Sequence, residues 1–231
     1  MKISIDPKIL ESFPDAKIGW LRAGVANADG AAHVRALKAG LEARLNDIGI
    51  SADTMMMHPD VRRWREVYSA MGVKPSKYRS SLEALLRRIF KGDLWEVSPV
   101  VDCYDCVSAL SLLPMGAHDM EKLRGGLTLR YAHEGEKFYP LGAGDSVIEC
   151  AERHVVYADC EKVCCWLWNY RDASVDDGTK EALFLVDCAF EPEWHSVEEG
   201  LSALAAELSA IGCTVRKSGV VSAAAPEAET E

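Results

Sequence analysis

The sequence predicts an α+β fold, and three observations predict it. Apolar residues recur at helical spacing through the first half of the chain, the period changes to two from Gly125 onward, and a last helical stretch follows near residue 200. Helices, then strands, then a helix is the order of an α+β chain rather than of alternating βαβ units.

The elements follow in order. Residues 18–25 form an apolar strand-like run. Val34, Leu37, Leu41, Leu45 and Ile48 then mark an amphipathic helix that stops at Gly49. A second helix begins near Asp60, with Val61, Trp64, Tyr68 and Met71 on one face and Gly72 at its end. Residues 73–79 read as a linker. Ser80 and Glu83 then have the spacing of a capping box, in which each side chain satisfies an amide of the first turn. Leu82, Leu85, Leu86 and Ile89 carry that helix to Gly92. A further helix spans 99–113 and is ended by Pro114, with Asp102 and Asp105 three apart and so close together on its surface. His118 falls in an expected loop. Leu127, Leu129 and Tyr131 alternate with Thr128 and Arg130, and short strands continue to 188 between Gly, Pro and Asp clusters. Ser196 and Glu199 repeat the capping-box spacing before Leu201, Leu204, Leu208 and Ile211. Residues 1–219 are expected to form one domain, and 220–231, with little to bury, a disordered tail.

With 231 residues, 48% hydrophobic and 27% charged, the chain suits a globular protein and excludes a disordered polymer. No apolar run reaches the roughly 18 residues of a membrane span, and the first residues lack an export signal, so no membrane partner and a cytoplasmic location are expected. Eight cysteines lie within apolar, periodic segments, which favours buried free thiols over a disulfide framework. Cys103 and Cys106, or Cys160, Cys164 and Cys165, have zinc-like spacing, but the second ligand pair is missing and no metal is expected. Neither a phosphate-binding loop nor a dinucleotide fingerprint is present, so no cofactor is expected either.

The net charge of −10 opposes a role in coating nucleic acid. Its distribution is uneven. Residues 62–91 hold nine basic side chains against two acidic ones, among them Arg62, Arg63, Lys77, Arg79, Arg87 and Arg88. A basic stretch on an acidic body fits contact with one end of a nucleic acid; a solvated helix face explains the same charge. Trp166, Trp168, Asn169, Tyr170 and Arg171 concentrate aromatic planes, an amide and a guanidinium, suited to stacking on a base or lining a small pocket, with core filling as the plainer alternative. Asp102, Asp105, Asp119 and Asp187 flank apolar segments, where a carboxylate can orient a water or hold an amino group. None of the six histidines is placed by sequence against a nucleophile.

Seven blocks in order carry a resemblance: PSKYRSSLEALLRRI at 75–89, VVD at 100–102, PMGA at 114–117 with Asp119, GLTLRYA at 126–132, GEKFYPLG at 135–142, VYAD at 156–159, and WNYR at 168–171 followed by Thr179. Over 61–190 the chain resembles the B3/B4 editing module of the bacterial phenylalanyl-tRNA synthetase beta subunit, and more closely the freestanding proteins built from that module alone. The resemblance implies a sandwich-like mixed sheet flanked by helices. It also implies a pocket where a wrongly attached amino acid is hydrolysed from the 3′ end of tRNA. On this resemblance Asp105 and Asp187 are the catalytic candidates, standing where the synthetase has an Asn and a Glu. Gly116 stands where it has a His, and Trp166–Tyr170 replace its Gly-rich segment. Gly116, Asp119, Trp166, Trp168, Asn169, Arg171 and Thr179 are the expected substrate-binding residues. The six basic residues named above are the expected tRNA contacts. The expected partners are tRNA or the 3′ end of an aminoacyl-tRNA, and an amino acid. With Asn and His both replaced, a second reading is a module that binds an amino acid or an RNA end without catalysis.

Overall fold

The computed structural model describes residues 1–25, 29–140, 146–167 and 173–231, together with the backbone of 169 and 170. Strand β1 (Lys2–Ile5) leads into the short helix α1 (Pro7–Ser12), where Asp6 accepts a hydrogen bond from the Lys8 amide at 2.9 Å. Strand β2 (Lys17–Gly24) and helix α2 (Ala31–Asp47) follow, then a 3₁₀ turn at Met55–Met57 and helices α3 (Pro59–Ala70), α4 (Ser81–Lys91) and α5 (Pro99–Ser111). The second half contributes β3 (Met115–Asp119), β4 (Leu127–Tyr131), β5 (Lys137–Phe138), β6 (Ile148–Glu149), β7 (Val155–Ala158), β8 (Val163–Trp166), β9 (Asn169–Tyr170) and β10 (Glu181–Cys188). Helix α6 (Val197–Ala210), β11 (Thr214–Val221) and β12 (Glu227–Glu229) complete the chain.

The strands form a six-stranded sheet in the order β12-β1-β4-β7-β8-β9, a four-stranded sheet in the order β11-β2-β10-β3, and the hairpin β5-β6. β1 runs parallel to β4; the other pairs are antiparallel. The four-stranded sheet divides the interior. From β10, Phe184 and Val186 join Leu201, Leu204 and Leu208 of α6 and Cys103 and Val107 of α5 in one core. Leu183 and Leu185, on alternate positions, join the other core with Ile3, Leu129 and Tyr157 of the six-stranded sheet and Trp64 and Leu86 of α3 and α4. This is the expected mixed sheet with helices on its flank. No helix among the described residues is long and apolar enough to cross a membrane.

Several local expectations change. His118 lies within β3, fully buried, rather than in a loop. Ser80 caps α4 by accepting from the Glu83 amide at 3.2 Å, but the Glu83 carboxylate turns to arginines instead of closing the box. The Ser196 and Glu199 box on α6 is complete. The largest difference is at the end of the chain. Residues 214–221 form a strand on β2, and 227–229 pair with β1 through Lys2↔Glu229 and Ser4↔Glu227. An edge strand is held by main-chain hydrogen bonds, which a small polar composition supplies as well as an apolar one. Gly219 also suits its place: a Cβ there would meet the Trp20 ring at 2.9 Å.

Candidate functional site

The N-terminal end of α5 sets one wall of the site. Ser98 caps it by accepting from the Val101 amide at 3.3 Å, and Pro99 occupies the first turn, where its missing N–H costs nothing. Asp102 is buried in that turn. One of its oxygens receives Lys38 Nζ of α2 at 3.0 Å and the other the Val97 amide at 3.1 Å. Asp105 is half-buried one turn further on. Burial pushes its carboxyl up to about 7, the neighbouring Asp102 charge adds to the rise, and Lys38 opposes it.

Opposite lies a clasp. Thr179 Oγ1 donates to Asp119 Oδ2 at 2.8 Å and accepts from the Asp176 amide at 2.9 Å. Lys122 Nζ reaches Asp176 at 2.6 Å, the Ser174 carbonyl at 2.8 Å and Asp119 at 3.6 Å. The clasp ties 173–180 to the end of β3, where the Asp119 amide also donates to the Ala173 carbonyl. Between clasp and helix is a cleft of about 160 Å³, walled by Ser98, Pro99 and Val100 on one side and by Asp176, Asp177 and Thr179 on the other.

A second polar group lies between the two sheets. Tyr157 of β7 and Asp187 of β10 share a hydrogen bond between their side chains, both fully buried. The His118 ring meets Tyr157 edge-on at 6.5 Å, and burial pulls its imidazole down to about 3, so it is neutral. Gly116 faces Leu185 across the β3–β10 ladder and has no side chain to add. Trp166 is core: it stacks on Phe138 at 6.2 Å, meets Tyr78 at 5.2 Å, and its Nε1 donates to His154 Nδ1 at 3.0 Å.

Asp119 and Thr179 therefore come together, as do Gly116, His118 and Asp187 within one sheet. Asp105 and Asp187 have different surroundings, Asp105 beside the charges of Asp102 and Lys38 and Asp187 bonded to Tyr157. Trp168, Arg171 and the side chain of Asn169 lie outside the described residues. Leu167, just before them, has φ 49°, a left-handed conformation that is strained for leucine.

The basic stretch is organised around an acid. Glu83, fully buried, receives Arg65 on both oxygens at 3.0 and 3.1 Å, Arg87 at 3.0 Å and Arg79 at 3.5 Å. Arg63 pairs with Glu193 at 3.3 Å, Arg88 covers the Trp95 ring at 3.5 Å, Lys77 lies 4.9 Å from the Tyr78 ring, and Arg62 meets Glu66 at 4.0 Å. The sequence marks Glu83 as a cap and does not set Arg65, Lys38 or Tyr157 apart from their neighbours. Only the 83-to-79 and 83-to-87 spacings signalled an ion cluster. All eight cysteines are free and seven are buried. Among the described residues, no three His, Cys, Asp or Glu side chains are grouped to hold a metal.

The model of the B3/4 domain family matches residues 63–195, a span that includes Glu83, Asp105, the Asp187–Tyr157 pair and most of the cleft. Among solved structures, an N-terminal fragment of the phenylalanyl-tRNA synthetase beta subunit from Pyrococcus horikoshii is similar with a TM-score of 0.44 and 12% identity, over 93% of this chain and 50% of that one. The chain thus spans half the length of that fragment. None of the curated proteins compared matches the chain.

Proposed function

Because the chain belongs to the B3/4 domain family, we propose that it receives the aminoacylated 3′ end of a tRNA and hydrolyses mis-attached amino acids from it in trans. It is a B3/B4-type module resembling that of the phenylalanyl-tRNA synthetase beta subunit. The observation that carries the proposal is the cleft between the start of α5 and the Thr179 clasp. Asp177 on one wall favours an α-ammonium group, and Pro99 and Val100 on the other offer apolar surface to the rest of the amino acid.

Water adds to the ester carbonyl, the tetrahedral adduct expels the ribose oxygen, and free amino acid and tRNA leave. An ester needs no covalent nucleophile, so positioning and one proton carrier suffice. Asp105 does not line the cleft but stands on the helix that walls it, and a carboxyl at about 7 can exchange a proton with water near neutral pH, so we propose it as the general base. Asp187, engaged by Tyr157 between the sheets, acts by holding the sheet face beside Gly116 in place. Thr179, held by Asp119, bounds the substrate on one wall, and Trp166, filling the core, does not. Arg62, Lys77 and Arg79 meet the tRNA backbone, while Arg63, Arg87 and Arg88 order the same face through their ion-pair and ring contacts.

A specific observation favours a second reading. Asp187 is buried and already bonded, and Gly116 contributes no side chain, which is what a module that binds the RNA end or an amino acid without catalysis would show.

The two separate on a panel of aminoacyl-tRNAs. Release of at least one amino acid above buffer, reduced more than about tenfold by Asp105→Ala, supports hydrolysis. Saturable tRNA binding with no release supports the binding module. In either case Arg79→Gln should reduce the salt dependence of tRNA binding, by about 0.7 to 0.9 in log–log slope. If tRNA does not bind, both readings fail.

A further inference from the structure

Away from the cleft, a cavity of about 240 Å³ opens between α2 and α6, with α5 as its floor. Leu37 of α2, Ile48 just past its end, and Val107 and Leu110 of α5 give it an apolar lining. The end is closed by Trp194, whose Nε1 donates to the Leu110 carbonyl at 3.0 Å, and by His195, set edge-on to it at 5.0 Å.

Its charges are unequal in their commitments. Glu207 at the rim is bonded to His33 at 2.7 Å, which ties α6 to α2. Arg44, also at the rim, has no ion-pair partner among the described residues, and the buried His195 Nδ1 has no hydrogen-bond partner among them. A pocket with apolar walls, one uncommitted guanidinium and one unused ring nitrogen selects an anion with an apolar body.

We propose that this cavity is a second binding site, for a small monocarboxylate with an aryl or alkyl body, its carboxylate on Arg44 and its body against Leu37, Ile48, Val107 and Leu110. Occupancy would add a contact between α2 and α5, which Lys38 and Asp102 already tie together. The site stands apart from the proposed hydrolysis and does not depend on it.

The full chain is titrated with phenylacetate, benzyl alcohol and benzylamine, read by calorimetry and by the indole N–H resonance of Trp194. Phenylacetate is expected to saturate with Kd of about 1 mM or tighter. The alcohol and the amine should bind at least about tenfold more weakly. Arg44 is exposed, so Arg44→Gln leaves the fold intact by circular dichroism and should weaken phenylacetate about tenfold, bringing it level with the alcohol. Ala203→Trp, from an exposed lining position on α6, should block all binding. Absence of saturable binding, or binding unchanged in both variants, overturns the site. Equal affinity for acid and amine overturns the assignment of the ligand as an anion.

Discussion

Asp105 shows how one side chain can link stability to chemistry. Its carboxyl sits near 3.8 in a free chain and is pushed up to about 7 here, first by burial and then by Asp102. Between these values the folded protein holds a proton that the unfolded chain has released, so stability falls as pH rises from about 4 to 7. Asp105→Asn removes that titration. Its urea midpoint should exceed that of the parent at pH 8, with the difference shrinking below about pH 4; an equal gap at both would refute the shift. His118 acts in the opposite direction. Its imidazole is lowered from 6.5 to about 3, so the unfolded chain takes up the proton first and stability is lost as pH falls through that window. Asp105 could be named from a sequence motif. Its environment could not, because the Lys38 charge that opposes the rise comes from a helix more than 60 residues earlier in the chain.

At the scale of elements, α3 and α4 are joined through Glu83. The helices have apolar stripes that bury Trp64, Tyr68, Leu82 and Leu86, and these were legible from spacing alone. The ion cluster was only half legible. Arg79 and Arg87 lie four residues either side of Glu83, but Arg65 arrives from α3. Removing the carboxylate leaves three guanidinium groups facing one another. Since they are 32%, 46% and 39% exposed, water offsets much of that repulsion. Glu83→Ala should therefore cost about 1–3 kcal/mol, below the range for fully buried pairs, by chemical unfolding. A loss under about 0.5 kcal/mol would mean that the cluster is held by its surroundings rather than holding them.

At the scale of the whole molecule, the last residues close the six-stranded sheet. β12 covers β1, which otherwise would present a bare edge. Ending the chain after Ser222 should lower the melting temperature by a few degrees, corresponding to about 1–2 kcal/mol at this size, and raise amide exchange in β1. Unchanged exchange at Ile3 and Ile5 would show the pairing to be dispensable. The same closure arranges the charge. With the acidic tail on one edge and Arg79 and Lys77 on the α3–α4 face, the basic stretch is set on an otherwise acidic surface.

While the opening β1-α1-β2 and the closing strands departed from the expected order, the sequence by itself determined the helices from α2 to α6, the α+β class, the basic stretch, and the motifs by which the chain resembles the B3/B4 module. These are properties of neighbours along the chain: helical and strand spacing, caps and glycine stops. Only the tertiary structure decided that Trp166 fills a core between Phe138, Tyr78 and His154, that Asp187 meets Tyr157, and that Asp119 and Thr179 form one clasp. It also turned a polar tail into a strand. Each of these depends on partners from 12 to over 220 residues away, and a carboxylate or an indole has no fixed role until the fold has chosen what stands across from it.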